Sequence, residues 1–134
     1  MKCVMMVTES CNLRCKYCYI SAGESNVQAA PTQQIFHMID LLNTIGIKKL
    51  IIGGGEPLVR EDIFDILDRS TARMPTHLLT NGTLINEKTA QKLALSGIDG
   101  VGISLDSPMP KVHDELRDGS FNATINGIKL CVKE

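Results

Sequence analysis

The chain has 134 residues, enough for one domain over residues 1–134 with a hydrophobic core of its own. Its 14 basic and 15 acidic side chains are mixed along the chain and leave a formal net charge of −1. That excludes the basic stripe of a nucleic-acid binder, and apolar runs as short as LIIGGG and CVMMV do not span a bilayer.

In chain order, Met1 and Lys2 lead straight into CVMMVTES (3–10), which reads as a buried strand, with no signal peptide ahead of it. Ile35, Met38, Ile39, Leu42 and Ile45 recur at helical spacing across 31–45, with Thr32 as the N-cap and Gly46 as the stop. IKKLIIGG (47–54) is the second strand. Residues 60–73 form a helix with acids in its first turn, where the helix dipole favours them. THLLT (76–80) is a third strand, and Asn86 caps a helix that runs through Ser96 and stops at Gly97. IDGVGISLD (98–106) is the fourth strand. Phe121, Ile125, Ile128 and Val132 make the apolar stripe of a last helix. Strand and helix thus alternate four times. Such alternation predicts an α/β fold with a parallel sheet, helices covering it, and right-handed crossovers.

The unusual residues fall just after each strand. Cys11, Cys15 and Cys18 follow the first, GGGEP (53–57) the second and TNGT (80–83) the third, while SLDS (104–107) closes the fourth. Ligands of parallel α/β folds bind at the carboxyl ends of the strands, so four signals on one rim predict one site there. The five cysteines are odd in number and three are bunched, unlike a secreted disulfide framework. They point to metal binding in a reducing compartment, with the cytoplasm as the expected location.

Three thiolates suit an iron–sulfur cluster or zinc. A [4Fe–4S] cube held by three thiolates keeps its fourth iron open. Zinc would instead need a distant fourth ligand, from His37, His77 or His113. Spacing alone leaves both readings standing. Cys3 and Cys131 fit no ligand spacing and read as core or boundary residues, and His113 as structural. A loop that cradles phosphate would end in Lys and Ser or Thr; this one ends in Glu56 and Pro57. Gly53, Gly54 and Gly55 permit close backbone approach, and a carboxylate beside carbonyl oxygens suits a protonated amine. Asn12 is expected to shape the cysteine loop.

Taken together, these residues resemble the radical S-adenosylmethionine (SAM) enzymes. CNLRCKYC has the family's CxxxCxxC spacing, and GGEP at 54–57 is similar to its methionine-amine motif. LLTNGTLI (78–85) and GISLDSPMPKVHDELRDGSFNATINGI (102–128) also look like the family. The resemblance covers nearly the whole chain. It implies a partial (β/α) TIM-like barrel carrying a [4Fe–4S] cluster on Cys11, Cys15 and Cys18, with SAM on the open iron. It further implies reductive cleavage of SAM to methionine and a 5′-deoxyadenosyl radical, which abstracts hydrogen from substrate. By position, Tyr17 would lie near the adenine, and Gly54, Gly55 and Glu56 would face the methionine amine. Ser104, on strand four, would donate to the carboxylate or ribose, and Arg117 would pair with the carboxylate. Asn81 and Asp106 would line the same rim. SLDS is similar to molybdopterin-precursor enzymes and HDELRDGSF to peptide and haem-type maturases. The implied substrate is a peptide, a tetrapyrrole or a cofactor precursor, with preference for the maturase group, and the implied electron source is a reductant such as flavodoxin or ferredoxin.

The length departs from the family. A full eight-unit barrel takes about 250 residues, and the family resembles a six-unit partial barrel, whereas four units are legible here. An amino-terminal half is therefore expected, or a protomer that completes itself by association through the unpaired edge of strand four. The reading from another class is a metal-binding module without catalysis.

Overall fold

The computed structural model describes residues 1–24 and 27–134. Strands β1 (Lys2–Met6), β2 (Lys49–Gly53), β3 (Thr76–Thr80) and β4 (Gly100–Ile103) form one parallel sheet in the order β1-β2-β3-β4. Helices α1 (Thr32–Thr44), α2 (Ile63–Thr71) and α3 (Glu87–Leu95) make the crossovers, and α4 (Pro110–Leu116) and α5 (Phe121–Lys133) follow β4. Strict sequential order matters. Right-handed crossovers between successive neighbours keep every helix on one face, which is how a barrel begins; a doubly wound sheet reverses its order at a switch point. The α/β partial barrel read from the sequence is the fold found.

The strand period of two divides the sheet cleanly. Leu50, Ile52 and Leu78 point to the helix side, fully buried against Ile39, Ile66 and Leu67. Burial of each such side chain contributes about 1.5–3 kcal/mol. The other face carries Val4, Met6 and Leu79, which are 61, 41 and 44 % exposed. The first strand reads from the sequence as buried; in the structure Cys3 and Met5 are half-buried and their neighbours exposed, because the helices cover one face.

Element ends differ from the sequence reading for local reasons. Thr32 lies inside α1, whose N-cap is Pro31 with no side-chain cap. The Thr32 hydroxyl donates instead to Asp62. Asp62 also takes a bidentate pair from Arg60, at 2.8 and 2.7 Å, and Arg60 reaches the Val7 carbonyl at 2.8 Å. This knot ties the exit of β1 to the entry of α2, so α2 starts at Ile63 and Glu61 and Asp62 precede it. Asn86 does cap α3, accepting from the Thr89 N–H at 2.9 Å. Strand β4 stops at Ile103, leaving Ser104 and Asp106 in the loop beyond it. In α5 the stripe is rotated: Val132 is exposed, while Thr124 and Gly127 are buried. A Cβ on Gly127 would stand 2.2 Å from the Gly82 carbonyl, so only glycine lets α5 lie on the loop after β3.

Candidate functional site

The carboxyl ends of the four strands surround a cavity of about 290 Å³. Cys11, Cys15 and Cys18 line it from the loop after β1. Gly53, Gly54 and Gly55 line it from the turn after β2, Asn81 from the loop after β3, and Ser104 and Arg117 from beyond β4. Tyr17 lines it as well, and Met6 and Leu79 form an apolar wall below. Glu56 and Asp106 are not part of the lining.

All three thiols are partly buried. Burial pushes the Cys11 thiol up, opposed by the Leu13 N–H, which points at Sγ from 3.4 Å. Burial also raises Cys15, opposed by the charge of Arg117. The Ala22 N–H donates to Cys18 Sγ at 3.4 Å from a short 3₁₀ turn, Ala22–Glu24. The N–H groups and the guanidinium favour the negative charge that thiolate ligands require, against the burial that raises Cys11 and Cys15. Among the described residues no three His, Cys, Asp or Glu side chains close round a single ion. The histidines weighed as zinc ligands are placed elsewhere. His37 is on α1. His77 sits beside Lys49 and Asp99 near the start of β3. His113 is fully buried, with Nε2 3.0 Å from Ser120 Oγ and its ring edge-on to Phe121. Three soft thiols lining one cavity are the donor type that an iron–sulfur cluster takes.

The glycine–glutamate turn is held by backbone. The Gly55 N–H donates to the Thr8 carbonyl at 2.8 Å and the Glu56 N–H to the Ser10 carbonyl at 2.9 Å. A Cβ on Gly55 would lie 2.4 Å from the Ser10 oxygen. Gly54 and Gly55 are thus required first by the close approach of the Thr8–Ser10 backbone. Glu56, expected to face the methionine amine, does not line the cavity. Its carboxylate turns away from the cavity, fully buried, and accepts from Thr80 Oγ1 (2.7 Å), the Asn81 N–H (2.7 Å) and the Leu58 N–H (3.0 Å). Burial pushes this carboxyl up, and the three hydrogen bonds oppose that. The turn offers the cavity its backbone; the side chain braces β3 from behind.

Asp106 also acts through others. One oxygen accepts from the Tyr17 hydroxyl and, at 2.6 Å, from Arg117 Nε; the other accepts from Arg117 Nη2 at 3.3 Å. The guanidinium lies 5.4 Å from the Tyr17 ring centre, within cation–π range. Burial raises the Asp106 carboxyl, but the bonds from Arg117 and Tyr17 outweigh it and leave it below the usual range. Tyr17 is pushed up to about 12 by burial and by this bond. Two further contacts join the same segments: the Lys16 N–H to the Leu116 carbonyl (3.0 Å), and the Arg14 N–H to Asp118 Oδ2 (2.9 Å). The cysteine loop is clasped by the chain around α4.

Ser104 donates its N–H to the Thr80 carbonyl at 3.0 Å, extending the sheet by one bond. Asn12 shapes the loop as expected, bonding Thr83 Oγ1 and Asn81 at 2.9 Å each. Cys3 and Cys131 pack against the core. The sequence reading missed Thr80, Thr124, Gly127 and Asp118. Thr124 was the detectable one, a polar residue set into an apolar helical stripe; its hydroxyl donates to the Asn81 carbonyl at 3.1 Å.

A sequentially wound partial barrel with three thiols and a glycine turn at its ligand rim is an arrangement suited to holding a cofactor. The comparisons narrow the class. Residues 5–134 match the Radical SAM superfamily, and the chain belongs to that family, whose members use a [4Fe–4S] cluster and SAM. It is 37 % identical over 132 residues to the AdoMet-dependent heme synthase of Methanosarcina barkeri, covering 95 % of this chain and 38 % of that protein. It is 37 % identical over 125 residues to the mycofactocin maturase MftC of Mycolicibacterium smegmatis, covering 92 % and 32 %. The crystal structure of Streptococcus suis SuiB bound to S-adenosylmethionine superposes with a TM-score of 0.78 at 25 % identity, over 96 % of this chain and 31 % of SuiB. The chain spans less than two fifths of the length of these relatives.

Proposed function

We propose that this chain is the cluster- and SAM-binding part of a radical SAM enzyme that modifies a peptide or a tetrapyrrole. One observation carries the reading: the three thiols, the Gly53–Gly55 backbone, Ser104 and Arg117 all line a single cavity at the strand ends. In this reading Cys11, Cys15 and Cys18 would hold a [4Fe–4S] cluster and leave it a position open for SAM. When bound, the pair supplies one-electron cleavage of the sulfonium carbon–sulfur bond, giving methionine and a 5′-deoxyadenosyl radical that removes a hydrogen atom from substrate.

The chain's own groups do the placing. Carbonyl oxygens of the glycine turn receive the ammonium hydrogens. Arg117, already fixed by Asp106, presents its outer N–H groups to the carboxylate, a task suited to a planar fork. Ser104 donates to the carboxylate or ribose, and Tyr17 offers a ring face to the adenine. Met6 and Leu79 give the cavity an apolar wall.

The proposed substrate class is supported by the relatives, two of which are named for haem synthesis and mycofactocin maturation, while SuiB has been crystallised with the precursor peptide SuiA. A protein reductant of the flavodoxin or ferredoxin type is the electron source, in a reducing compartment. The free edge of β4 receives further strands, from the rest of a longer chain or from a second copy. No described helix is long and apolar enough to cross a membrane.

Cys15→Ala tests the ligand set. After anoxic reconstitution with iron and sulfide, the variant is expected to lose the brown absorbance and bound iron that the parent shows, since two thiolates hold a cube poorly. Parental iron content in the variant, or a colourless parent that retains zinc, contradicts the reading.

A further inference from the structure

We propose that Asn81 sets the potential of the cluster by donating a hydrogen bond to the Cys11 sulfur, rather than binding SAM; this rests on the ligand set proposed above. A carboxamide makes four hydrogen bonds at most, and here all four are taken. Oδ1 accepts from the Thr83 N–H (2.9 Å) and the Thr83 hydroxyl (2.7 Å). Nδ2 donates to Asn12 Oδ1 at 2.9 Å and lies 3.9 Å from Cys11 Sγ, within reach of a sulfur acceptor. The main chain is fixed as firmly. The Asn81 N–H is held by Glu56 at 2.7 Å, and its carbonyl accepts from the Thr124 hydroxyl at 3.1 Å.

These bonds decide which way the amide faces. Turning it over would set its NH₂ against the Thr83 N–H and its oxygen against Asn12 Oδ1 and the sulfur. Asn81 is 7 % exposed, so little water competes for the N–H. No hydrogen of the amide is left for a nucleoside.

Cys11 therefore receives two N–H groups, from Leu13 and Asn81, whereas Cys18 receives that of Ala22. Adding an electron to a thiolate-bound cluster increases the negative charge on its sulfurs. Donors aimed at a ligand sulfur favour the reduced form and raise the potential. The buried Glu56 then has a second function. It holds the backbone N–H of the residue that tunes Cys11 and so links the glycine turn to the sulfur.

The test is a reductive titration of the anoxically reconstituted protein with titanium(III) citrate, followed by electron paramagnetic resonance. Asn81→Ala removes the donor, and Asn81→Asp keeps an oxygen for Thr83 while placing negative charge near the sulfur. Both are expected to retain iron and to shift the midpoint to more negative potential, Asn81→Asp further. Thr83→Val removes a hydroxyl contact to Oδ1 but no donor to sulfur, and is expected to keep the parental midpoint. An unchanged midpoint in either Asn81 variant overturns the proposal. So does an equal shift in Thr83→Val, or loss of iron from both Asn81 variants, which would mark a loop-holding role. A parent protein that takes up no cluster refutes the functional reading itself, a result distinct from all of these.

Discussion

Glu56 sits three residues beyond the last residue of β2, in a turn that reads from the sequence as a ligand-facing loop, yet its carboxylate is sealed behind β3. The residue types of GGGEP were legible because a glycine run after a strand has few uses other than close approach. The direction of the side chain was not legible, because it is decided by Thr80 and Asn81, some 25 residues away. The consequence is measurable. Glu56→Ala strands two backbone N–H groups and a hydroxyl, and an unsatisfied buried donor costs about 1–3 kcal/mol. A loss of about 3 kcal/mol or more is expected in urea unfolding of the metal-free protein. Glu56→Gln keeps an acceptor oxygen and should lose less. A Glu56→Ala protein as stable as the parent would contradict the bracing role.

At the scale of elements, the clasp around α4 has the clearest signature. Periodicity finds helices by their apolar stripes, and α4 has no such stripe, only a buried His113. Its work is done by Asp106, Arg117 and Asp118 on its flanks, whose partners Tyr17 and Arg14 lie about a hundred residues earlier. The cysteine spacing, by contrast, was plain because all three ligands lie in one loop. The clasp predicts a pH dependence. Asp106 has a lowered carboxyl in the folded protein, so its contribution is complete above the ordinary aspartate value of about 3.9 and is lost as pH falls below it. The difference in urea midpoint between the parent and Asp106→Asn should therefore be largest near neutrality and shrink on acidification below pH 4. A constant difference would show that the carboxylate's charge is not what holds Tyr17 and Arg117. Glu56 works in the opposite sense. Its raised carboxyl adds a pH-linked part of its contribution that is fullest in acid and lost as pH rises through its folded value, while its three hydrogen bonds persist.

For the whole molecule, the strand order carries the most information. Four βα units in sequence, helices on one face and apolar side chains open on the other, describe the first part of a barrel wall. That much was readable from alternating patterns, since strand and helix periods differ. The exposure of Val4, Met6 and Leu79 was not, because a run such as CVMMV looks alike whether it is covered on one face or on both. The cavity at the strand ends ties these scales together, with thiols from one loop, backbone from the next and a guanidinium held by the clasp. Its occupation by an iron cube with one open corner is the central claim. The most direct measurement is electron paramagnetic resonance of the reconstituted, reduced protein with and without SAM. The account predicts a [4Fe–4S]⁺ signal whose g values move when SAM is added. Protein that takes up no cubane, or whose signal is the same with saturating SAM, would contradict it.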